Sequence, residues 1–343
     1  MAIRNYAPGD EEQIQELFAK TFNHNRSYEE WEWKFKKHPH YEDPTILVWE
    51  EDGKILGHIS LWVNKAYIGN EIHKVGLRID TMVDPQTRGK GIYSKLNEKL
   101  SEIAQKENIV YLYGFPAPKA KDLLIKYSKG VHITDIPRLI NIQRPFSLLS
   151  SKLSVLKMLK PVDELIYNFK NRKKMKPSNE LSVVEIDNFD DRFTSLDAGI
   201  RNDGLVKVVR DAAYLNWRYT FHSEKKYTIL ALEGPSKALR GYIVFTIENK
   251  ESYKSGMILD WCCLEDTEGC DLLLDSALKY MRNTAIIQTW ALPHTSMYSQ
   301  FINNSFYQKD RPVPLVGIQT HDEFTGFEDE SKWFITPGDV DSF

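Results

Sequence analysis

The chain has 343 residues, 42% of them hydrophobic and 27% charged, an ordinary balance for a folded protein with apolar material for two cores. A net charge of −3 argues against a bulk electrostatic nucleic-acid partner. No apolar run approaches the roughly 18 residues of a membrane span, so membrane insertion is not expected. The opening Met1-Ala2-Ile3-Arg4-Asn5-Tyr6 holds no signal-peptide run. Cys262, Cys263 and Cys270 fit no zinc spacing. The expectation is a cytoplasmic protein without a metal, its cysteines reduced core thiols.

Taken in chain order, the predicted elements come twice. Residues 27–38 begin with Ser27, a helix cap completed as a box by Glu30, and carry Trp33-Lys34-Phe35 and His38. At a constant offset of 184, Asp211 caps a second helix bearing Trp217-Arg218-Tyr219 and His222. Apolar strands follow in each copy: Thr45–Trp49 matches Thr228–Leu232, and Gly57-His58-Ile59 matches Gly241-Tyr242-Ile243. Asp52-Gly53 marks a hairpin in the first copy. Then Arg78–Val83 matches Ile258–Cys263, and an amphipathic helix follows each, with Ile92, Leu96, Leu100 and Ile103 on one face of the first. Gly114-Phe115-Pro116 and Ala291-Leu292-Pro293 each end a strand and open another helix. The copies span about 1–145 and 180–343. The connecting segment 146–179 reads as a helix ending near Pro161, a second over Val162–Phe169, and a basic run Arg172-Lys173-Lys174-Met175-Lys176. That run is either a solvated linker or a patch for a membrane surface or an acidic partner.

Between the strand ending at Val83 and the helix opening at Ile92 lies Gln86-Thr87-Arg88-Gly89-Lys90-Gly91. Backbone N–H groups at a helix start are unpaired, and the helix dipole adds partial positive charge, so such a loop suits an anion. Gly89 and Gly91 allow close approach of a diphosphate; Arg88 and Lys90 add charge-assisted bonds. The loop is not a P-loop, which needs GxxxxGK[ST], and lacks the third glycine of a dinucleotide fingerprint, Ser94 standing there.

Val83-Asp84-Pro85-Gln86-Thr87-Arg88-Gly89-Lys90-Gly91-Ile92 resembles motif A of the GNAT N-acetyltransferases, whose core is Q/R-x-x-G-x-G/A. The resemblance covers the first copy nearly end to end, and the repeat extends it to a tandem architecture. It implies an α/β (α+β) protein of two GNAT-type domains, each a mixed, mostly antiparallel twisted sheet flanked by helices. It further implies acetyl-CoA as co-substrate. Gln86, Thr87, Arg88, Gly89, Lys90, Gly91 and Ile92 would hold the pyrophosphate. Met82 and Val83 would meet the pantetheine, in the splay between their strand and Ile109–Phe115. The acceptor would be a small-molecule, amino-sugar or peptide amine, and a homo-oligomer is compatible with the family. In the second copy Asp266, Glu268 and Asp271 stand where Gln86, Arg88 and Gly91 do, so it is expected to keep the fold and lose the cofactor.

Acyl transfer needs a neutral amine, a stabilised oxyanion and a protonated leaving thiolate. The family's usual tyrosine acid would fall on Lys126. Tyr127 is one residue away, a rotation of about 100° on a helix, and is the candidate acid. The family often has Asn where Ala117 stands. Asp80, on the strand face of Met82, is the candidate base, or else an ion-pair partner of Arg78; Glu30 is another carboxylate to consider. His24, His38 and His40 lie near helix ends, but the recurrence of His38 as His222 favours a structural role. Tyr28, Trp31 and Tyr113 would line an entrance or pack in the core. Two other readings are an acyl-CoA sensor without catalysis and a Fem-like aminoacyltransferase.

Overall fold

The computed structural model describes residues 2–41, 43–150, 153–170, 180–200, 206–264 and 267–342. In chain order they form β1 (Ala2–Asn5), α1 (Glu11–Phe22), α2 (Tyr28–Lys36), β2 (Thr45–Glu51), β3 (Lys54–Ile68), β4 (Glu71–Val83), α3 (Ile92–Lys106), β5 (Ile109–Gly114), α4 (Pro118–Tyr127) and β6 (Val131–Ile142). Connecting helices α5 (Pro145–Leu149) and α6 (Lys160–Lys170) follow. Then come β7 (Ser182–Ile186), α7 (Asp191–Gly199), β8 (Lys207–Val208), α8 (Ala212–Leu215), β9 (Thr228–Glu233), β10 (Leu239–Asn249), β11 (Lys254–Cys263), α9 (Thr267–Tyr280), β12 (Ile286–Trp290), α10 (Ser296–Asn303) and β13 (Tyr307–Gln319).

Among the described residues, all thirteen strands join one mixed, mostly antiparallel sheet in the order β1-β2-β3-β4-β5-β13-β6-β12-β11-β10-β9-β7, with β8 on β3. The order is a palindrome of the repeat. Its centre is an exchange. β6, which follows the helix α4 of the first half, lies beside β12 of the second. β13, which follows α10 of the second, lies beside β5 of the first. Each half is closed by the other's last strand, and the two exchanged strands pair at the middle.

The repeated helices meet at this axis. Ser27 and Asp211 cap as expected, accepting from the N–H of Glu30 and Tyr214 at 3.0 and 2.8 Å. Glu30 does not return a bond to Ser27, so the box is open; it is half-buried instead, its carboxyl held above the ordinary range chiefly by burial, with Glu224 adding to it. Each helix makes a five-residue turn at the same place: Lys37 N–H bonds Glu32 and Phe221 N–H bonds Asn216, 3.1 and 2.8 Å. These turns present Trp33 and Trp217, which stack at 5.0 Å and exchange bonds. Trp33 Nε1 donates to the Trp217 carbonyl at 2.7 Å and Trp217 Nε1 to that of Trp33 at 3.0 Å. His222 packs on Trp33 and His38 on Trp217, at 4.0 and 4.2 Å. The four residues that announce the repeat thus meet at its interface, where the two tryptophans satisfy each other's indole N–H and the two histidines pack on them.

Three expectations are corrected. Pro161 opens α6 rather than ending a helix, because its fixed φ and missing N–H suit the first helical turn. Trp31 and Tyr113 are core residues, 0% and 1% exposed, and line no entrance. Cys263 and Cys270 form a disulfide, Cα–Cα 5.9 Å, leaving Cys262 as a buried free thiol. The basic run 172–176 lies outside the described residues.

Candidate acyl-CoA site

The anion loop is built from Asp84 outward. Its Oδ1 accepts from Gln86 N–H at 2.9 Å and its carbonyl from Thr87 N–H at 2.9 Å, closing a short 3-10 turn over Pro85–Thr87. Gly89 and Gly91 then take φ of 89° and 77°, the left-handed region where a side chain is strained. No atom lies within 4 Å of where a Cβ would stand on either, so the backbone is open. Among the described residues no group accepts from the N–H of Arg88, Gly89 or Gly91, and no side chain caps α3. Arg88 and Lys90 are exposed beside them. Free N–H groups, a helix start and two cations converge on one open surface, which is what a diphosphate requires.

Next to the loop the sheet opens. The parallel pairing of β4 with β5 stops at Leu77–Tyr113, while β4 runs on to Val83. The reason is a bulge. His58 faces Met82 and Ser60 faces Ile79, so Asp80 and Thr81 together oppose one residue, Ile59, and Asp80 sits at φ 45°. Met82 is buried and Val83 partly so.

The bulge also redirects Asp80. Instead of Arg78 it meets Arg26 and Lys34, the latter at 2.8 Å, on the α1–α2 side of the sheet. The carboxylate is buried, yet Lys34 and then Arg26 overcome the burial and hold it far below the ordinary range. Lys34 also bonds Asp341 at 2.7 Å. Arg78, across the sheet, bonds Asn97 of α3, and its Nη1 is buried without a partner. It pairs with no carboxylate among the described residues. Burial lowers its pKa, partly offset by Tyr93. A largely desolvated cation with only neutral partners therefore flanks the splay.

His58, which the sequence reading did not single out as functional, lies under the bulge. Its Nδ1 sits 2.7 Å from the Asp80 carbonyl, so Nδ1–H donates and Nε2 is left as the acceptor. Nε2 is buried and unpartnered. Burial pushes its pKa down to about 4, although Asp80 opposes the shift. The only sequence signal was its place, one residue past Gly57 on the strand facing Met82.

Tyr127 ends α4 and is 52% exposed, with Lys126 Nζ 5.0 Å from its ring. Among the described residues no hydrogen bond draws its hydroxyl toward the splay. Of the histidines, His38 is buried against Asn64 at 3.0 Å, and burial holds it well below its ordinary value. Beyond the end of β5, a cavity of about 860 Å³ opens across the exchanged strands. Phe115, Pro118, Trp290 and Val313 give it apolar walls, and Arg138, bonded only to Gln288 at 3.3 Å in the described structure, gives it a cation.

The second half differs at the loop. Asp266 lies outside the described residues. Glu268 and Asp271 lie inside α9, which begins at Thr267. The helix has run back over the positions that form the open loop in the first half, and the Cys263–Cys270 disulfide ties the strand end to its first turns.

The fold is thus an α/β one that sets an open glycine turn at a helix start beside two splayed parallel strands. Residues 2–120 match the family model described as acetyltransferase (GNAT) domain. That segment is therefore similar to the GNAT acyltransferase domain, over about a third of the chain. Solved structures agree in fold. A probable N-acyltransferase from Enterococcus faecalis, titled a conserved protein of unknown function, superposes with a TM-score of 0.68 at 9% identity, over 93% of this chain and 72% of that one. A GCN5-related N-acetyltransferase from Anabaena variabilis gives 0.67 at 11%, covering 93% and 73%. Eis1 from Mycobacterium abscessus gives 0.58 at 10%, covering 92% and 72%. At these identities the likeness speaks for the fold alone. No curated protein sequence matches the chain.

Proposed function

We propose that this chain transfers an acetyl group from acetyl-CoA to a primary amine of a small molecule, amino sugar or peptide, by direct attack at the first half. The observation that carries this is the loop: three free N–H groups at an uncapped helix start, two positive-φ glycines and two exposed cations, next to the splay. The N–H groups of residues 88–92 would take the pyrophosphate, with Arg88 and Lys90 neutralising it and Gln86 and Thr87 shaping the turn. The pantetheine would lie along Met82 and Val83. Backbone N–H groups at the bulge would face a thioester oxygen, so the oxyanion would meet preorganised donors. Arg78 would add a fixed positive charge nearby. Acceptor amines would enter from the cavity beyond Phe115.

Neither buried titratable group under the bulge is tuned as a base at neutral pH. Asp80 is held ionised by two cations, and His58 binds a proton only near pH 4. We therefore assign both to holding the bulge, Asp80 through Arg26 and Lys34, His58 through the Asp80 carbonyl. The amine would arrive neutral and shed its proton to water. Tyr127 remains the proposed acid for the leaving thiolate, acting after α4 closes on bound CoA. Its exposure favours a second reading, an acyl-CoA-binding protein without turnover. In either case the second half is proposed to be a wall and scaffold that binds no cofactor.

Calorimetric titration with acetyl-CoA, followed by CoA release across a panel of amines, tests both. The wild type should bind one acetyl-CoA per chain. The double variant Arg88→Glu, Gly91→Asp should lose about 100-fold in affinity, the scale of one to two charge-assisted bonds. Unchanged affinity would remove the site from this loop. Binding without release on any amine would favour the sensor.

A further inference from the structure

The cavity beyond the end of β5 is a product of the strand exchange. Arg138 lies on β6, the strand that the first half lends to the second, directly opposite Trp290 of β12 and Lys309 of β13. Residues directly opposite in antiparallel strands carry their side chains on one face of the sheet. Further along the same pairing Ile136 faces Val313. Phe115, arriving from the end of β5, meets the Trp290 ring at 5.7 Å. Phe115, Trp290, Val313 and Met257 give the space apolar walls, and Arg138 is the one charge among the residues that line it. The cavity also opens beside the splay. Phe115 follows Gly114, where a Cβ would stand 3.5 Å from that of Arg78, just past the last pair of β4 with β5. Its volume of about 860 Å³ suits a small molecule.

That charge is held in place but not neutralised. A guanidinium carries a fork of N–H donors, and in the described structure one of them is engaged, Nη2 donating to Gln288 Oε1 at 3.3 Å. Gln288 donates in turn from Nε2 to Ser255 Oγ at 3.4 Å, which turns its amide oxygen toward the arginine. Other partly buried arginines of this fold find acids: Arg4 pairs with Asp10 and Glu50, and Arg144 with Glu164. Arg138 pairs with none among the described residues, and the residue facing it across β13 is a second cation, Lys309. Like charges directly opposite weaken a strand pair, so an anion between them relieves the strands as well as completing Arg138. The planar fork over apolar walls matches a carboxylate, which it can hold in two parallel bonds.

We infer that the acceptor is an amine with an apolar body and a free carboxylate, an amino acid or short peptide, whose carboxylate pairs with Arg138 while its body lies against Phe115 and Trp290. This names the acceptor class for the reaction proposed above and rests on that reading. The carboxylate is unchanged by the transfer. The amine nitrogen bonds the acetyl carbon and sheds a proton to water, the carbon–sulfur bond breaks, and CoA leaves as a thiol, its sulfur taking up a proton.

The test has a turnover arm and a binding arm. In the first, CoA release is measured for L-phenylalanine against phenylalanine amide and for L-leucine against leucine amide, at equal concentrations of neutral amine. The acid should exceed the amide in kcat/KM by roughly tenfold or more, the worth of one charge-assisted pair. Arg138→Gln should bring acid and amide level, and Arg138→Lys, a charge without the fork, should fall between. In the second arm, ligand-observed NMR compares N-acetyl-L-phenylalanine with its amide on the full chain, with neither CoA nor turnover. The acid should bind roughly tenfold tighter or more, and Arg138→Gln should erase the difference. Turnover that does not favour the acid overturns the inference and leaves the acyltransferase reading standing. Absence of turnover on every amine defeats that reading; the carboxylate site then stands if the acid still binds through Arg138 and falls if acid and amide bind alike. A preference for phosphoethanolamine over both acids overturns it in favour of a phosphate. If Arg138→Gln misfolds, the wild-type ratios and Arg138→Lys decide.

Discussion

The two halves share a skeleton and differ at one loop, and the contrast separates what the fold needs from what chemistry would need. Arg26 and Asp80 in the first half correspond to Arg210 and Asp260 in the second, and both pairs are buried ion pairs at a bulge of the fourth meander strand. Trp33 and Trp217, His38 and His222, and the two helix caps are likewise kept. These features recur where, among the described residues, α9 takes the place of the open loop, so their role is to set the bulge and the interface. The open loop itself is seen once among the described residues. A feature kept in both halves is architectural; one kept in a single half is a candidate for function.

The largest effect should come from breaking the skeleton, and it should be unequal. Arg210 is 1% exposed and holds Asp260 at 3.0 Å and Asp339 at 2.9 Å. Arg210→Met strands both carboxylates in the core and should cost about 3–5 kcal/mol. Arg26→Met leaves Asp80 with Lys34 still at 2.8 Å, so roughly half that loss is expected. Urea denaturation of the two variants measures the difference. Equal losses would mean that Lys34 does not compensate, and that the first-half cluster is not a three-membered unit.

Much of this frame was legible because repeated residues reported one environment twice. The Trp-Lys-Phe and Trp-Arg-Tyr match located the two helices, and Asp52-Gly53, both at positive φ, located the first hairpin. The glycine loop was legible because Gly89 and Gly91 have a local conformational reason. What escaped was long-range. The exchange of β6 and β13 leaves no trace in local patterning, since either neighbour would accept the same apolar strand. The turn of Asp80 away from Arg78 depends on a bulge set by pairing with β3. The disulfide depended on α9 starting at Thr267, which brings Cys270 back to the strand end. His58 was overlooked because its partner is a backbone carbonyl, which no side-chain motif announces.

That histidine gives the next contrast. Its counterpart in the second half is Tyr242, which is buried and carries no charge in the acid range. His58 has a folded pKa near 4, against about 6.5 for an unfolded chain. The unfolded state binds the proton first, so His58 contributes stability above pH 6.5 that is lost as pH falls toward 4. The loss should reach about 2 kcal/mol at pH 5. His58→Gln does not titrate there and should flatten that part of the stability profile. His38 and His222 are also depressed, so a residual slope should persist. A profile that His58→Gln leaves unaltered would show that the imidazole is reached by solvent.

The smallest effect separates the two caps. Ser27 makes one bond, to Glu30 N–H. Ser27→Ala should cost about 1 kcal/mol, the usual worth of such a cap. Asp211 makes the equivalent bond to Tyr214 N–H and also holds His40 Nε2 at 3.2 Å, from the first half. Its carboxylate therefore links the halves as well as capping a helix, and Asp211→Ala should cost more than Ser27→Ala. Asp211→Asn can keep the cap while losing the charge. A double-mutant cycle with His40→Ala reads the cross-half term alone: about 0.5 kcal/mol or more of coupling is expected for a contact of this kind. A coupling of zero would reduce Asp211 to a cap like Ser27 and leave the stacked tryptophans and their histidines to hold this interface.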